Sequence, residues 1–196
     1  MSTVESFGKY VIQSPYFSAS KCLNFFKTLG YKIGKEKILQ LEKYSQASYL
    51  FFFIPIFSYN IKDRSQYPRK AYAGDNGLPY SATGRMDYGR LYENLAFLEL
   101  RRRTTAGKEI CYWKNKDGLE TDFIVKQGNH ATEAIQVAYD IWDEKTRKRE
   151  EDGLEKCDEE LMPSKAIILT KDQSETKTVG KTRITIVPLM DWLLED

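Results

Sequence analysis

Glu120-Thr121-Asp122-Phe123-Ile124-Val125, followed at short range by Ala134-Ile135-Gln136-Val137-Ala138-Tyr139, constrains this chain more than any other stretch. Both segments read as β-strands, on which successive side chains point to opposite faces of a sheet. Thr121, Phe123 and Val125 then form one apolar row, and Ile135, Val137 and Tyr139 another. Glu120 and Asp122 fall on the opposite face of the first strand, with Gln136 and Ala138 on that of the second. A metal-dependent phosphodiesterase on such a pair needs carboxylates at positions 122 and 136 and a lysine at 138, because magnesium takes hard oxygen ligands. Asp122 meets that need, and Gln136 and Ala138 do not. The alternation predicts an open face bearing Asp122, Gln136 and Ala138, and a buried row opposite.

This pairing resembles the PD-(D/E)XK nuclease superfamily, in which an acidic residue on one strand precedes Asp/Glu-x-Lys on the next. That resemblance puts Glu93, within Arg90-Leu-Tyr-Glu93-Asn94, at the family's helical glutamate, and leaves a remnant site of Glu93, Asp122 and Gln136. A second resemblance spans nearly the whole chain. Tyr49–Phe57, Pro68-Arg69-Lys70-Ala-Tyr72, Asp75-Asn76-Gly77, Glu93-Asn94, Tyr112-Trp113 and Glu120-Thr-Asp122-Phe123 follow the order of the domain of unknown function 4143. That family sits C-terminal to AAA-type ATPases, so the resemblance implies an ATPase module or another protein as partner.

The chain is expected to be α/β, of α+β type. A winged-helix-like unit with its connecting loop occupies 1–84, and a nuclease-like mixed sheet flanked by helices occupies 85–196. Val4–Gln13, a segment from Ser18 or Ser20 to Gly30, and Lys35–Ala47 have helical spacing. Strands follow at Tyr49–Phe57, broken by Pro55, and near Arg69–Tyr72. Residues 61–84 are rich in Gly, Pro, Asn, Asp and Ser and read as loop. The second unit reads as a helix over 88–103, three strands, a charged helix over 143–160, two strands near 165–170 and 183–187, and a short closing helix.

Charge divides the same way. Residues 1–90 carry 13 Lys/Arg against 6 Asp/Glu, and residues 91–196 carry 17 against 22. The basic part is the one suited to a polyanion. Lys35, Lys37 and Lys43 on the third helix, with Arg69 and Lys70, are the candidate DNA contacts, the third helix holding the recognition position. A packing or protein-contact role for the same helix stays open.

Other chemistries are narrower. Gly180-Lys181-Thr182 ends like a P-loop, but Glu175 stands where its first glycine belongs. His130, the single histidine, lies in a turn and is expected to face solvent. Cys22, Cys111 and Cys157 match no metal-ligand spacing and read as reduced thiols. No apolar run is long enough to span a bilayer, and the expected location is cytoplasmic.

The primary expectation is therefore a non-enzymatic, catalytically degenerate nuclease-like protein that engages nucleic acid, DNA being the candidate, or a protein partner, and needs no cofactor. The alternative is an active nuclease with a relaxed ligand set, using Mg²⁺ or Mn²⁺ held by Glu93, Glu120 and Asp122. Lys126 shares the strand face of Asp122 but lies about 13 Å along the strand, too far to replace a lysine at 138.

Overall fold

The computed structural model describes residues 2–195. They are helices with one three-stranded antiparallel sheet and one six-stranded mixed sheet, an α+β chain. It divides into two compact units, Met1–Pro55 with Lys62–Met86, and Ile56–Ile61 with Asp87–Asp196. Among the described residues no helix is long and apolar enough to cross a membrane.

The first unit begins with α1 (Thr3–Gln13), closed by a reciprocal cap. Glu5 N donates to Ser2 Oγ at 3.2 Å, and Ser2 N donates to Glu5 Oε2 at 2.7 Å. β1 (Tyr16–Phe17), α2 (Ala19–Thr28), α3 (Lys35–Ala47) and β2 (Phe51–Ile54) follow. α4 (Ile61–Gln66), β3 (Arg69–Ala73) and α5 (Gly77–Thr83) complete the run. The sheet order is β1-β3-β2, and Phe7, Phe17, Phe26, Ile38 and Phe51 pack together as its core. Two short helices thus occupy the stretch that composition reads as loop. Asp75 Oδ1 accepts from Gly77 N at 2.6 Å and so turns the chain into α5.

The second unit runs α6 (Tyr88–Arg103), β4 (Lys108–Lys114), β5 (Glu120–Gln127), β6 (His130–Val137), α7 (Glu144–Leu161), β7 (Lys165–Thr170), β8 (Glu175–Val179), β9 (Thr182–Pro188) and α8 (Leu189–Leu194). Its sheet order is β4-β5-β6-β7-β9-β8. β4, β5 and β6 form an antiparallel meander, whereas β6, β7 and β9 run parallel. α7 crosses over one face of the sheet, and α6 and α8 pack on the other. β8 is an element that the sequence reading omits. It pairs antiparallel with β9 through Gly180-Lys181, where Gly180 takes φ +57°, so the P-loop-like triplet is a hairpin turn.

Two expectations about the sheet are corrected. Both faces are covered: Asp122, Gln136 and Ala138 are buried, as are Phe123 and Ile135. The strict alternation on β5 is also broken. Cys111 pairs with Ile124 but Trp113 pairs with Thr121, so Asp122 and Phe123 together oppose Tyr112 alone, a β-bulge. Thr121 consequently turns toward α7, where its hydroxyl donates to Gly153 O at 3.4 Å. Phe123 stays on the other face, 6.3 Å from the ring of Phe97 on α6.

The cysteines are free and buried, as reduced thiols would be. Burial pushes the thiols of Cys22 and Cys157 up to about 12, which keeps them protonated and unreactive.

Candidate functional site

Two helices, a turn and the sheet floor of the second unit converge on a cavity of about 480 Å³. α6 opens it: Asp87 caps the helix, its Oδ1 accepting from Arg90 N at 3.1 Å, and Arg90 and Glu93 line the cavity one turn on. The β4–β5 turn supplies Asp117, Gly118 and Leu119, and Glu120 joins them from the start of β5. Asn115 Oδ1 fixes that turn by accepting from Leu119 N at 2.9 Å. α7 supplies Arg149 and Glu150, and the sheet floor supplies Asp122, Gln136 and Val137.

α7 reaches the floor because Gly153 lets it. A Cβ there would stand 2.7 Å from Glu120 O, closer than van der Waals contact allows. The bulge then sets Asp122 against β6 rather than toward open space. Asp122 Oδ2 accepts from Val137 N at 2.9 Å, and Asp122 N donates to Gln136 Oε1 at 3.0 Å. Gln136 Nε2 donates in turn to Glu150 Oε2 at 2.7 Å, while Glu150 Oε1 takes both Nε and Nη2 of Arg149. Asp122, Gln136 and Glu150 are 7%, 7% and 6% exposed, so this hydrogen-bonded chain is nearly dry. Buried polar groups satisfied in this way are rigid, and each becomes costly if its partner is removed. The Glu150 carboxylate also holds Arg149 more firmly protonated than a free guanidinium.

The chemistry follows from the donors. Gln136 satisfies Glu150 with an amide N–H, which a carboxylate at 136 could not do, and it leaves no second acid beside Asp122. Glu120 is paired with Lys114 Nζ at 3.0 Å. Among the described residues no three acidic, histidine or cysteine side chains gather as metal ligands, and Glu93, Glu120 and Asp122 are lining residues of one cavity without forming such a set. The arrangement does not fit the divalent metal that the nuclease resemblance implies.

Ala138 does not reach the cavity and packs in the apolar core under α7 with Leu154 and Cys157. Lys126 points elsewhere, its Nζ 3.0 Å from Glu109 Oε2 and 3.1 Å from Gly128 O. His130 is exposed and opens β6.

The model of the family described as Domain of unknown function (DUF4143) matches residues 88–192. The chain belongs to this family. The DUF4143 match begins in α6 and ends in α8, so it takes in the cavity and its polar chain. A relative described as Uncharacterized protein MJ1544, from Methanocaldococcus jannaschii, is 33% identical over 183 residues, covering 90% of this chain and 40% of that protein. The chain therefore spans about 40% of the length of that relative. No solved structure matches it.

In the first unit the candidate contacts separate. Lys35, Lys37 and Lys43 are exposed on α3. Lys70 is only 5% exposed and is not presented to a phosphate. Arg69 is committed to Glu42, with Nη1 on Oε1 and Nη2 on Oε2 at 2.8 Å, and lies over the rings of Phe17 and Phe53. Glu150, Arg149 and Gly153 are the site residues that the sequence reading missed. A glycine in mid-helix was the available signal, since it often marks close backbone approach.

Proposed function

We propose that this DUF4143 chain is a binding module built on a nuclease-type scaffold that no longer cleaves. The carrying observation is the polar chain from Asp122 through Gln136 to Glu150, which ties up the groups a nuclease would turn toward metal and phosphate. The order of α6, the β4–β5–β6 meander, crossover α7 and parallel β7 supports the nuclease-type scaffold, being the order that resemblance implies. In the first unit, α1-β1-α2-α3-β2-α4-β3 with sheet order β1-β3-β2 supports a winged-helix reading in which α4 is inserted between the two wing strands and α3 is the contact helix. On this reading Lys35, Lys37 and Lys43 touch the phosphates of duplex DNA. An ATPase module as partner belongs to the same proposal through the family resemblance, and the relative of which this chain covers 40% has length for a further domain.

A duplex titration at about 50 and 200 mM salt tests the module. Three phosphate contacts give a log–log salt slope of about −2.7, hence an affinity loss of roughly 40-fold over that range. Replacing all three lysines by alanine should abolish that dependence. Duplex binding that is unchanged in the triple variant would refute the assignment of α3.

A further inference from the structure

The six-stranded sheet ends in β4 on one side and β8 on the other, and the chain guards only the first. A bare strand edge is a template for another strand, because its outward N–H and C=O groups lack ladder partners. At the β4 edge, Ile56 bridges Tyr112 in parallel, and Phe57 N donates to Tyr112 O at 2.6 Å. The β4–β5 bulge lies at the same place. At the far edge, β8 pairs with β9 alone among the described residues, in an unbroken register and without a proline.

The turn into β9 decides which groups of β8 face outward. Val179 opposes Thr182 across Gly180-Lys181, so this closing pair is hydrogen-bonded. Such pairs alternate along an antiparallel ladder. Lys177 and Glu175 therefore also bond inward to β9, and Thr176 and Thr178 turn their N–H and C=O to the open edge. Both threonines are exposed. A lysine on an edge strand ordinarily wards off a second strand. Here Lys177 Nζ is held on α7, 2.8 Å from each carboxylate oxygen of Glu151, and does not guard the edge.

The charges select the occupant. Antiparallel pairing of β8 with its own copy uses the outward groups when it centres on Thr176, on Lys177 or on Thr178. Centring on Lys177 sets that lysine against its copy, which is unfavourable. Centring on Thr178 runs the strand into Gly180, whose φ of +57° does not continue it. Centring on Thr176 sets Glu175 against Lys177 of the second copy, and does so twice by symmetry. With Arg147 on Glu175 and Glu151 on Lys177, charge then alternates in sign across the seam. We infer that β8 pairs antiparallel with β8 of a second copy of this chain, Thr176 opposite Thr176, and extends the sheet across a twofold axis.

One short strand makes a small interface, so the dimer forms reversibly with concentration. Sedimentation equilibrium of the full chain over a concentration series should show the mass rise from 22.8 kDa toward twice that value. Thr176→Pro should hold the mass at one chain with far-UV circular dichroism unchanged, since proline is tolerated on an edge strand where the lost N–H faces outward. Should that variant unfold, cysteine cross-linking still decides. Oxidised Thr176→Cys should cross-link to its copy, because opposed hydrogen-bonded residues lie about 5.5 Å apart at Cα, within disulfide reach. Thr178→Cys should not, its copies standing about 13 Å apart along the strands. The native cysteines are buried and do not compete. A wild-type mass that stays at one chain throughout, a dimer that survives in folded Thr176→Pro, or equal cross-linking at 176 and 178 would each overturn the inference.

Discussion

Gly153→Ala tests how α7 is seated over the site. Alanine is the better helix former, and by propensity alone this substitution in α7 should stabilise by about 0.5–1 kcal/mol. The structure predicts the opposite sign. The new Cβ would meet Glu120 O at 2.7 Å, and ordinary contact begins at 3.4 Å, so helix and strand must part by about 0.7 Å. The obstacle is backbone, which cannot rotate away. Overpacking of this kind costs about 1–3 kcal/mol, which at its midpoint outweighs the propensity gain and leaves a net loss of about 1 kcal/mol. For a chain of this size that lowers Tm by roughly 2–4 °C. The three tryptophans, Trp113, Trp142 and Trp192, lie in the second unit, and Trp113 and Trp192 are buried, so their fluorescence reports its melting. Gly8→Ala is the matched control. Its Cβ would sit 3.8 and 3.9 Å from Phe51 ring atoms, and far-UV circular dichroism should show the first unit stabilised by the propensity gain. A Tm that rises in Gly153→Ala as it does in Gly8→Ala would refute the close approach of α7 to β5.

Arg69→Met leaves the buried Glu42 carboxylate without its guanidinium and should cost about 3 kcal/mol by chemical denaturation, with much of the loss recovered in the Glu42→Gln, Arg69→Met double variant. A loss below about 1 kcal/mol would return Arg69 to the pool of surface cations. Arg102 and then Arg103 hold Glu99 down at about 2, well below its usual 4.5. Its stabilising contribution is therefore complete above about pH 4.5 and is lost as pH falls from there toward 2. Glu99→Gln should weaken the chain at pH 7 and flatten that part of the acid limb, and an unchanged limb in stability measured against pH would contradict the pairing.

Much of the fold was legible because periodicity is local. Ile38 and Leu41 mark the buried side of α3, and the strands at 120–127 and 130–137 overlap the segments read as strands, the second beginning and ending two residues earlier than its sequence suggests. What was illegible depends on partners distant in sequence. The bulge that separates the faces of Thr121 and Phe123 arises from pairing with β4, and nothing in the strand itself announces it. Glu150 lies 14 residues beyond Gln136 on a helix where most charges face water, so only the crossover of α7 reveals which one turns inward. Arg69 and Lys70 were separable from the sequence alone. Neighbours on a strand point to opposite faces, so both could not have met one phosphate backbone.

Divalent-dependent cleavage is the most direct test of the central claim. The full chain is incubated with duplex DNA in Mn²⁺ and, separately, in Mg²⁺, and products are resolved against a protein-free blank and the Asp122→Ala variant. With Gln136 holding Glu150, and Asp122 accepting from Val137 N, no cleavage above the blank and no difference between the two proteins are expected. Cleavage that requires the metal and disappears in Asp122→Ala would contradict it.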